Sequence, residues 1–324
     1  MCIIYIVLVG ELAQLKLDLR RSLKGAYAMG TWSNLKSQWK AYWMFTSYFG
    51  FQPLPATTEV ICLFMQFLSR SFSSPTSIKN YVHGVHVLHQ LLGLPFEHHQ
   101  ALEFRLAFRG IKRLHPHVPK KASPMDPVLL QHMFVFVDLD DPVHMTYWCV
   151  CLMGFFLMLR ISHFTSQKSE FHQPLKREDI QFTDSGAVVC IRWSKTKQFG
   201  GDILKWPLLA ISGSPLCPVA AYKRMCTLVP LPQTSLAFQM KSGSMCHPIT
   251  AGGFQCFLRK LVACTGNDPL LYSTHSLRRG GATWAFQCGV SGELIQKFGG
   301  WKSDAYKGYL DVSLHAKGFA LSQT

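Results

Sequence analysis

The chain has 324 residues, 48% of them hydrophobic, which is enough for two folded domains and too apolar for a disordered tract. Lys and Arg number 33 against 18 Asp and Glu, so the formal net charge is +15 and the pI about 9.4. An excess of this size points to a polyanion partner, because Lys and Arg gain by displacing counterions from a phosphate backbone.

Residues 1–27 open with an apolar run, Met1 to Val9, that lacks a basic flank and a small-residue cleavage site, and so makes a poor signal peptide. Leu12 to Leu23 could form a short basic helix. From Thr31, a plausible N-cap, Trp32, Leu35, Trp39, Trp43 and Phe49 recur near helical spacing, with Lys36 and Lys40 on the other face. A break at Phe51 to Pro55 precedes a second helix capped by Thr57 or Thr58, with Val60, Phe64, Phe67 and Leu68 inward. A turn at Ser73 to Ser77 leads to a third helix carrying Ile78, Tyr81, Val82, Val85, Leu88 and Leu92. A fourth, from near His99, carries Leu102, Leu106 and Ile111. Residues 28–114 therefore read as an all-α unit. Arg105, Arg109, Lys112, Arg113, Lys120 and Lys121 run into a proline-containing linker at 115–127, where a basic hinge suits a charged rod and a solvated helix face is the plainer alternative.

A larger unit occupies 128–324. Pro127 to Val137 reads as a helix, and an apolar helix then runs to Leu159 and ends in Arg160. Its apolar stretch, Tyr147 to Leu159, is too short to span a bilayer. Alternation at Ile180 to Phe182, Ala187 to Trp193 and Ile203 to Leu208 signals strands, with Lys195 and Lys197 in the loop between the last two. Further helices are expected at Pro218 to Leu228, Thr250 to Ala263, His275 to Cys288, Ser291 to Phe298 and Ser303 to Leu310. The eleven cysteines are scattered without a Cys-x-x-Cys, which reads as reduced thiols in an intracellular, nuclear protein. Cys246-His247 has no partner pair at ligand spacing, so no metal site is expected.

The chemistry gathers between Thr274 and Leu310. His275 and Arg278 stand at i and i+3 on one helix face, where a ring N–H and a planar guanidinium fork can meet phosphate oxygens near a helix N-terminus. Arg279 adds a second cation, and Gly280-Gly281 lets another group come close. Gly299-Gly300-Trp301 gives a tight turn and an indole donor. Tyr306 and Tyr309 follow as phenols able to act as nucleophiles. Each piece has a plain structural alternative: a capping histidine, a core tryptophan, packing tyrosines. Arg160 is either a helix cap or a guanidinium turned into a site.

Taken together, these residues resemble the tyrosine recombinases, also called phage-type integrases. The family pattern is Arg, a Lys on a β-hairpin, His-x-x-Arg, His or Trp, then a nucleophilic Tyr. It is matched here by Arg160, Lys195, His275, Arg278, Trp301 and Tyr309. The resemblance covers about residues 28–315, and the wording of 301–310 is similar to recombinases of the Crypton and DIRS-type mobile elements. Two positions depart from the pattern. His163 stands where the family usually has Glu or Asp, and the Trp-to-Tyr spacing is eight, where many bacterial members have nine.

The resemblance implies a helical core-binding domain followed by a mainly α catalytic domain with a small antiparallel sheet. It implies site-specific strand exchange on double-stranded DNA through a 3′-phosphotyrosine, without metal, ATP or other cofactor and without a small-molecule substrate. It also implies a homo-oligomer, a tetramer on paired sites, exchanging a C-terminal segment for which Val312 to Thr324 is available. Lys195 against Lys197 and Tyr309 against Tyr306 stay open. So do an inactive, domesticated DNA-binding derivative, a type IB topoisomerase, and a helical scaffold that does not bind DNA.

Overall fold

The computed structural model describes residues 2–118, 121–166, 173–193, 203–243 and 245–308. The chain divides into two compact units, Met1–Lys120 and Lys121–Thr324. The second part of the expected linker thus lies in the second unit. There Met125 is buried, and its N–H donates to the Ser276 carbonyl at 2.9 Å.

The first unit is all helix: α1 (Cys2–Gly25), α2 (Met29–Phe49), α3 (Thr58–Ser69), α4 (Pro75–Leu91) and α5 (Leu102–Leu114), with a 3-10 turn at His98–Gln100. Local signals set most of the ends. Thr57 Oγ1 accepts from the Val60 N–H, Pro75 occupies the first turn of α4, and Gly50 closes α2 at φ 71°. Thr31 lies inside α2, whose N-cap position is Ala28. The core is aromatic and aliphatic, built on Tyr42, Phe45, Ile61, Phe64, Ile78, Val82 and Ile111. Leu102 and Leu106, expected inward, are 62% and 54% exposed. Helix α5 carries two apolar stripes, and the one that packs is Phe104, Ala107, Phe108 and Ile111, which holds the larger rings. Phe67, also expected inward, is 40% exposed.

The second unit contains α6 (Pro127–Phe134), α7 (Pro142–Phe156), strands β1 (Ile180–Thr183), β2 (Gly186–Ile191) and β3 (Leu204–Leu209), and helix α8 (Pro218–Leu228). Then come a second hairpin of β4 (Gln239–Ser242) and β5 (Met245–Pro248), helices α9 (Ala251–Cys264), α10 (Thr274–Gln287) and α11 (Gly292–Gly299), and a 3-10 turn at Asp304–Gly308. The first three strands form an antiparallel sheet in the order β1-β2-β3, with Val189 opposite Ile180 and Trp206. Helix α7 is the central rod, buried continuously from Met145 to Phe155. The mainly α architecture with small antiparallel sheets is the one expected. Among the described residues no helix is long and apolar enough to cross a membrane.

Two glycines decide how close α10 comes to its neighbours, Gly281 to α7 and Gly280 to the segment before α6. A Cβ at Gly281 would overlap the Phe155 carbonyl oxygen, and one at Gly280 would overlap that of Met125. Helix α7 stops at Phe156, and Met158 turns the chain at φ 51°. Arg160 therefore lies past the helix rather than at its end, at the N-cap position of a 3-10 turn, Ile161–His163. The apolar run continues beyond the helix because Leu157, Met158 and Leu159 are all buried.

Candidate active site

A cleft of about 210 Å³ opens between the loop after α7, the ends of β2 and β3, and the turn after α11. Arg160, Arg278 and Trp301 all line it, together with His163, Lys297 and Lys302. Four Lys and Arg side chains thus face one small space, and no Asp or Glu stands among the described lining residues. Such a wall suits an anion, and the planar fork of an Arg can donate to two oxygens of a phosphate or a carboxylate.

Arg278 is fixed by folding. Helix α10 starts where Ser273 Oγ accepts from the His275 N–H at 3.2 Å and Ser276 Oγ accepts from the Ser273 N–H at 3.0 Å. Arg278 follows within the second turn and is 1% exposed. Its Nη1 donates to the Met158 carbonyl, and its Nη2 donates to the Gly299 carbonyl at 2.7 Å. The guanidinium carbon lies 3.8 Å from the centroid of the Trp301 ring. Trp301 reaches that place because Gly300 takes φ 63° and the Trp301 N–H returns to the Gln296 carbonyl at 3.0 Å. A Cβ at Gly299 would overlap the indole. The Gly-Gly-Trp motif is therefore the means by which an indole stacks on a buried arginine.

Arg160 is held differently. It is half-buried, on a loop, and the His163 ring sits against its backbone: Nδ1 lies 3.2 Å from the Arg160 nitrogen and 3.0 Å from its carbonyl oxygen. His275 is exposed in the first turn of α10, on the face that carries Arg278, and is not among the cleft's lining residues. Tyr306 is 7% exposed and packs on Trp301 at 6.3 Å between ring centroids. It belongs to a small core with Met158, Ala282, Ala285 and Ile295. That burial argues against Tyr306 as an attacking group. Tyr309, eight residues after Trp301, lies outside the described residues, as do Lys195, Lys197 and Lys120. Ile191 ends β2, Leu204 begins β3, and both line the cleft.

Of the other expected DNA-contacting residues, Lys36, Lys40, Arg105, Arg109, Lys112, Arg113 and Lys121 are exposed. Arg279 is half-buried, and its Nη1 donates to the Ala122 carbonyl at 2.8 Å, tying α10 to the start of the second unit. Lys297 and Lys302 were not anticipated from sequence, because an isolated Lys on a short helix or turn has no distinguishing pattern. The adjacency of Lys302 to Trp301 was the one signal that could have found it. Among the described residues no His, Cys, Asp or Glu group is arranged to hold a metal ion.

This is the fold of the tyrosine recombinases. Over residues covering 96% of this chain and 98% of the other, it matches the Tn1549 transposon integrase in complex with transposon right end DNA, with a TM-score of 0.59 at 14% identity. It matches a lambda integrase dimer bound to a COC′ core site with a TM-score of 0.59 at 16% identity, covering 91% of this chain and 94% of that one. For the XerH site-specific recombinase bound to difH substrate the TM-score is 0.56 at 15% identity, with 88% and 76% covered. In sequence, the chain is 24% identical over 301 residues to the integrase/recombinase xerD homolog of Selenomonas ruminantium, spanning 88% of this chain and 82% of that protein. No family model matches. The fold is thus that of the tyrosine-type integrases, and the sequence is similar to one curated integrase/recombinase.

Proposed function

We propose that the chain is a site-specific recombinase that cuts and rejoins double-stranded DNA through a 3′-phosphotyrosine on Tyr309. The observation that carries this reading is the cleft itself, where Arg160, Arg278, Lys297 and Lys302 converge beside Trp301 with no carboxylate among the described lining residues. The Tyr309 oxygen attacks the phosphorus and gives up its proton. The bond to the 5′ oxygen breaks, and that oxygen takes a proton, with Lys195 as the donor. A 5′-hydroxyl from a second duplex reverses the step, so the number of phosphodiester bonds is unchanged.

Arg160 and Arg278 hold the non-bridging oxygens as charge builds on them, and Trp301 and His275 add donors. A protonated His275 could also return a proton to the tyrosine. The exposed cations of α5, with Lys36 and Lys40, contact the backbone of the duplex. In the same reading the enzyme works as a homo-oligomer, a tetramer on paired sites. It serves a mobile element of the Crypton or DIRS type and acts in the nucleus, which suits ten free cysteines among the described residues.

A nicked suicide duplex carrying candidate element termini tests the reading. The wild-type chain and Tyr306→Phe should each form a covalent adduct that survives denaturation, and Tyr309→Phe should form none. Absence of an adduct with retained, strongly salt-dependent binding would instead identify a DNA-binding derivative without catalysis. Relaxation of supercoils without site preference would identify a topoisomerase. Binding should weaken at least about tenfold between low and moderate salt if several phosphates are contacted, and the absence of such a loss would leave a scaffold.

A further inference from the structure

Lys302 follows Trp301 in the turn after α11 and lines the cleft with Arg160, Arg278 and Lys297. Its backbone is anchored on both sides. Before it, Trp301 is 7% exposed and its N–H donates to the Gln296 carbonyl at 3.0 Å. After it, Tyr306 is buried in the same small core, its ring 6.3 Å from that of Trp301. Lys302 itself is exposed between these anchors. Folding has therefore already fixed the turn that carries the ammonium, and an anion bound there would not have to order it.

The plainer uses of a lysine do not fit this position. The acid nearest in sequence, Asp304, is paired with Lys307 at 2.8 Å. Among the described residues no carboxylate pairs with Lys302, and none lines the cleft. Lys297 stands in the last turn of α11, where a cation complements the carbonyl end of the helix. Lys302 lies beyond the C-cap Gly300 and has no such place. The cation stacked on the Trp301 ring is Arg278, at 3.8 Å, rather than the lysine next in the chain. Of the four cations at the cleft, Arg278 is buried, Arg160 is half-buried, and the two lysines are exposed.

We propose that Lys302 is a further catalytic residue, whose ammonium donates to a non-bridging oxygen of the scissile phosphate. The inference rests on the strand-transfer reading of the cleft and gives that reading a group beyond its arginines. The proton stays on the Lys302 nitrogen throughout, so the bonds made and broken are those given above and Lys195 remains the proton donor. Negative charge builds on the phosphate oxygens as the tyrosine attacks, and an ammonium beside them gains most at that moment.

A methylphosphonate at the scissile position tests this, because a methyl group replaces one non-bridging oxygen and the charge is lost. On the ordinary suicide duplex Lys302→Gln should form adduct about ten- to a hundredfold more slowly than wild type, short of the loss from an enclosed donor. On the methylphosphonate duplex the two proteins should agree within about threefold, since no anionic oxygen remains to be stabilised. Equal rates on the ordinary duplex would make Lys302 a solvated side chain. An undiminished deficit on the methylphosphonate would make it a proton donor or a contact to a flanking phosphate. Either result overturns the inference and leaves the recombinase reading intact. Equilibrium binding in a Tyr309→Phe background reads the same contact without chemistry. Lys302→Gln should reduce the slope of log affinity against log salt by about 0.9 on the ordinary duplex and leave it unchanged on the methylphosphonate. If the wild type forms no adduct on the ordinary duplex, the recombinase reading fails. The slopes then decide the lysine on their own, and an unchanged slope on the ordinary duplex would show that Lys302 meets no phosphate.

Discussion

The two arginines of the cleft are held in different ways. Arg278 is buried on a helix, bonded to two carbonyls and roofed by an indole. Arg160 is half-buried on a loop, with a histidine ring against its backbone. The first wall is a product of folding, since the contacts that place Arg278 also close the small core around Met158, Ala282, Ile295 and Trp301. The second is less deeply built, since Arg160 itself is half-buried and lies outside that core. A cleft built this way has one rigid reference point for an anion and one less deeply held. Stability and catalysis should therefore separate on the Arg160 side and stay coupled on the Arg278 side.

The largest effect should come from removing the close approach that brings the rigid wall into place. Gly281→Val would drive a branched side chain into the Phe155 carbonyl, where even a Cβ has no room. The two nearest atoms are Phe155 backbone, which cannot swing aside as a side chain could, so the cost should be about 3 kcal/mol or more. For a unit of this size that corresponds to roughly 6–12 °C in melting temperature. Calorimetry on the full chain checks it. A melting temperature within about 2 °C of wild type would show that α10 does not depend on the approach.

Next come the arginines themselves. Arg278→Ala leaves the buried Met158 and Gly299 carbonyls without these donors, at about 1–3 kcal/mol each. It should also slow adduct formation by about a hundred- to thousandfold. Arg160→Ala should slow adduct formation by a similar factor, roughly 10²–10³, yet shift stability by under about 1 kcal/mol. The two variants together test the contrast: equal losses of stability would show that the Arg160 loop is as tightly built as the helix.

How much of this was legible from sequence follows the same division. His-x-x-Arg and Gly-Gly-Trp are contiguous motifs on α10 and the turn after α11, and local chemistry alone places them: a serine cap, a left-handed glycine, a ring folded back. Thr57, Thr250 and Ser291 likewise cap the helices they precede. Arg160 was found, but its setting was not. The apolar run to Leu159 reads as continuous helix, and only the packing of α10 on the end of α7 shows where the helix stops. The β4–β5 hairpin was missed because Gln239-Met-Lys-Ser and Met245-Cys-His-Pro lack the alternation and β-branching of a strand. Lys297 and Lys302 join the cleft through tertiary placement, which no spacing along the chain encodes.

The smallest effect should be at Tyr306, the outer layer of the rigid wall. Its ring contributes apolar area to the core that holds Trp301, and Trp301 in turn stacks on Arg278. Its hydroxyl lies close to Gly292, where a Cβ would sit 2.7 Å from it. Tyr306→Phe keeps the ring, the packing and the stack, and removes only that oxygen. Stability should change by under about 1 kcal/mol, and adduct formation by less than about threefold. Tyr306→Ala removes the ring as well and should cost about 3–5 kcal/mol, the range for truncating a buried aromatic, with Trp301 losing its backing. The pair separates two roles that a tyrosine in this segment could have. A nucleophile fails on losing its oxygen, whereas a packing residue fails only on losing its ring. If Tyr306→Phe abolished the adduct while Tyr309→Phe retained it, the nucleophile would be the buried residue, and the wall around Arg278 would have to open before the chemistry could begin.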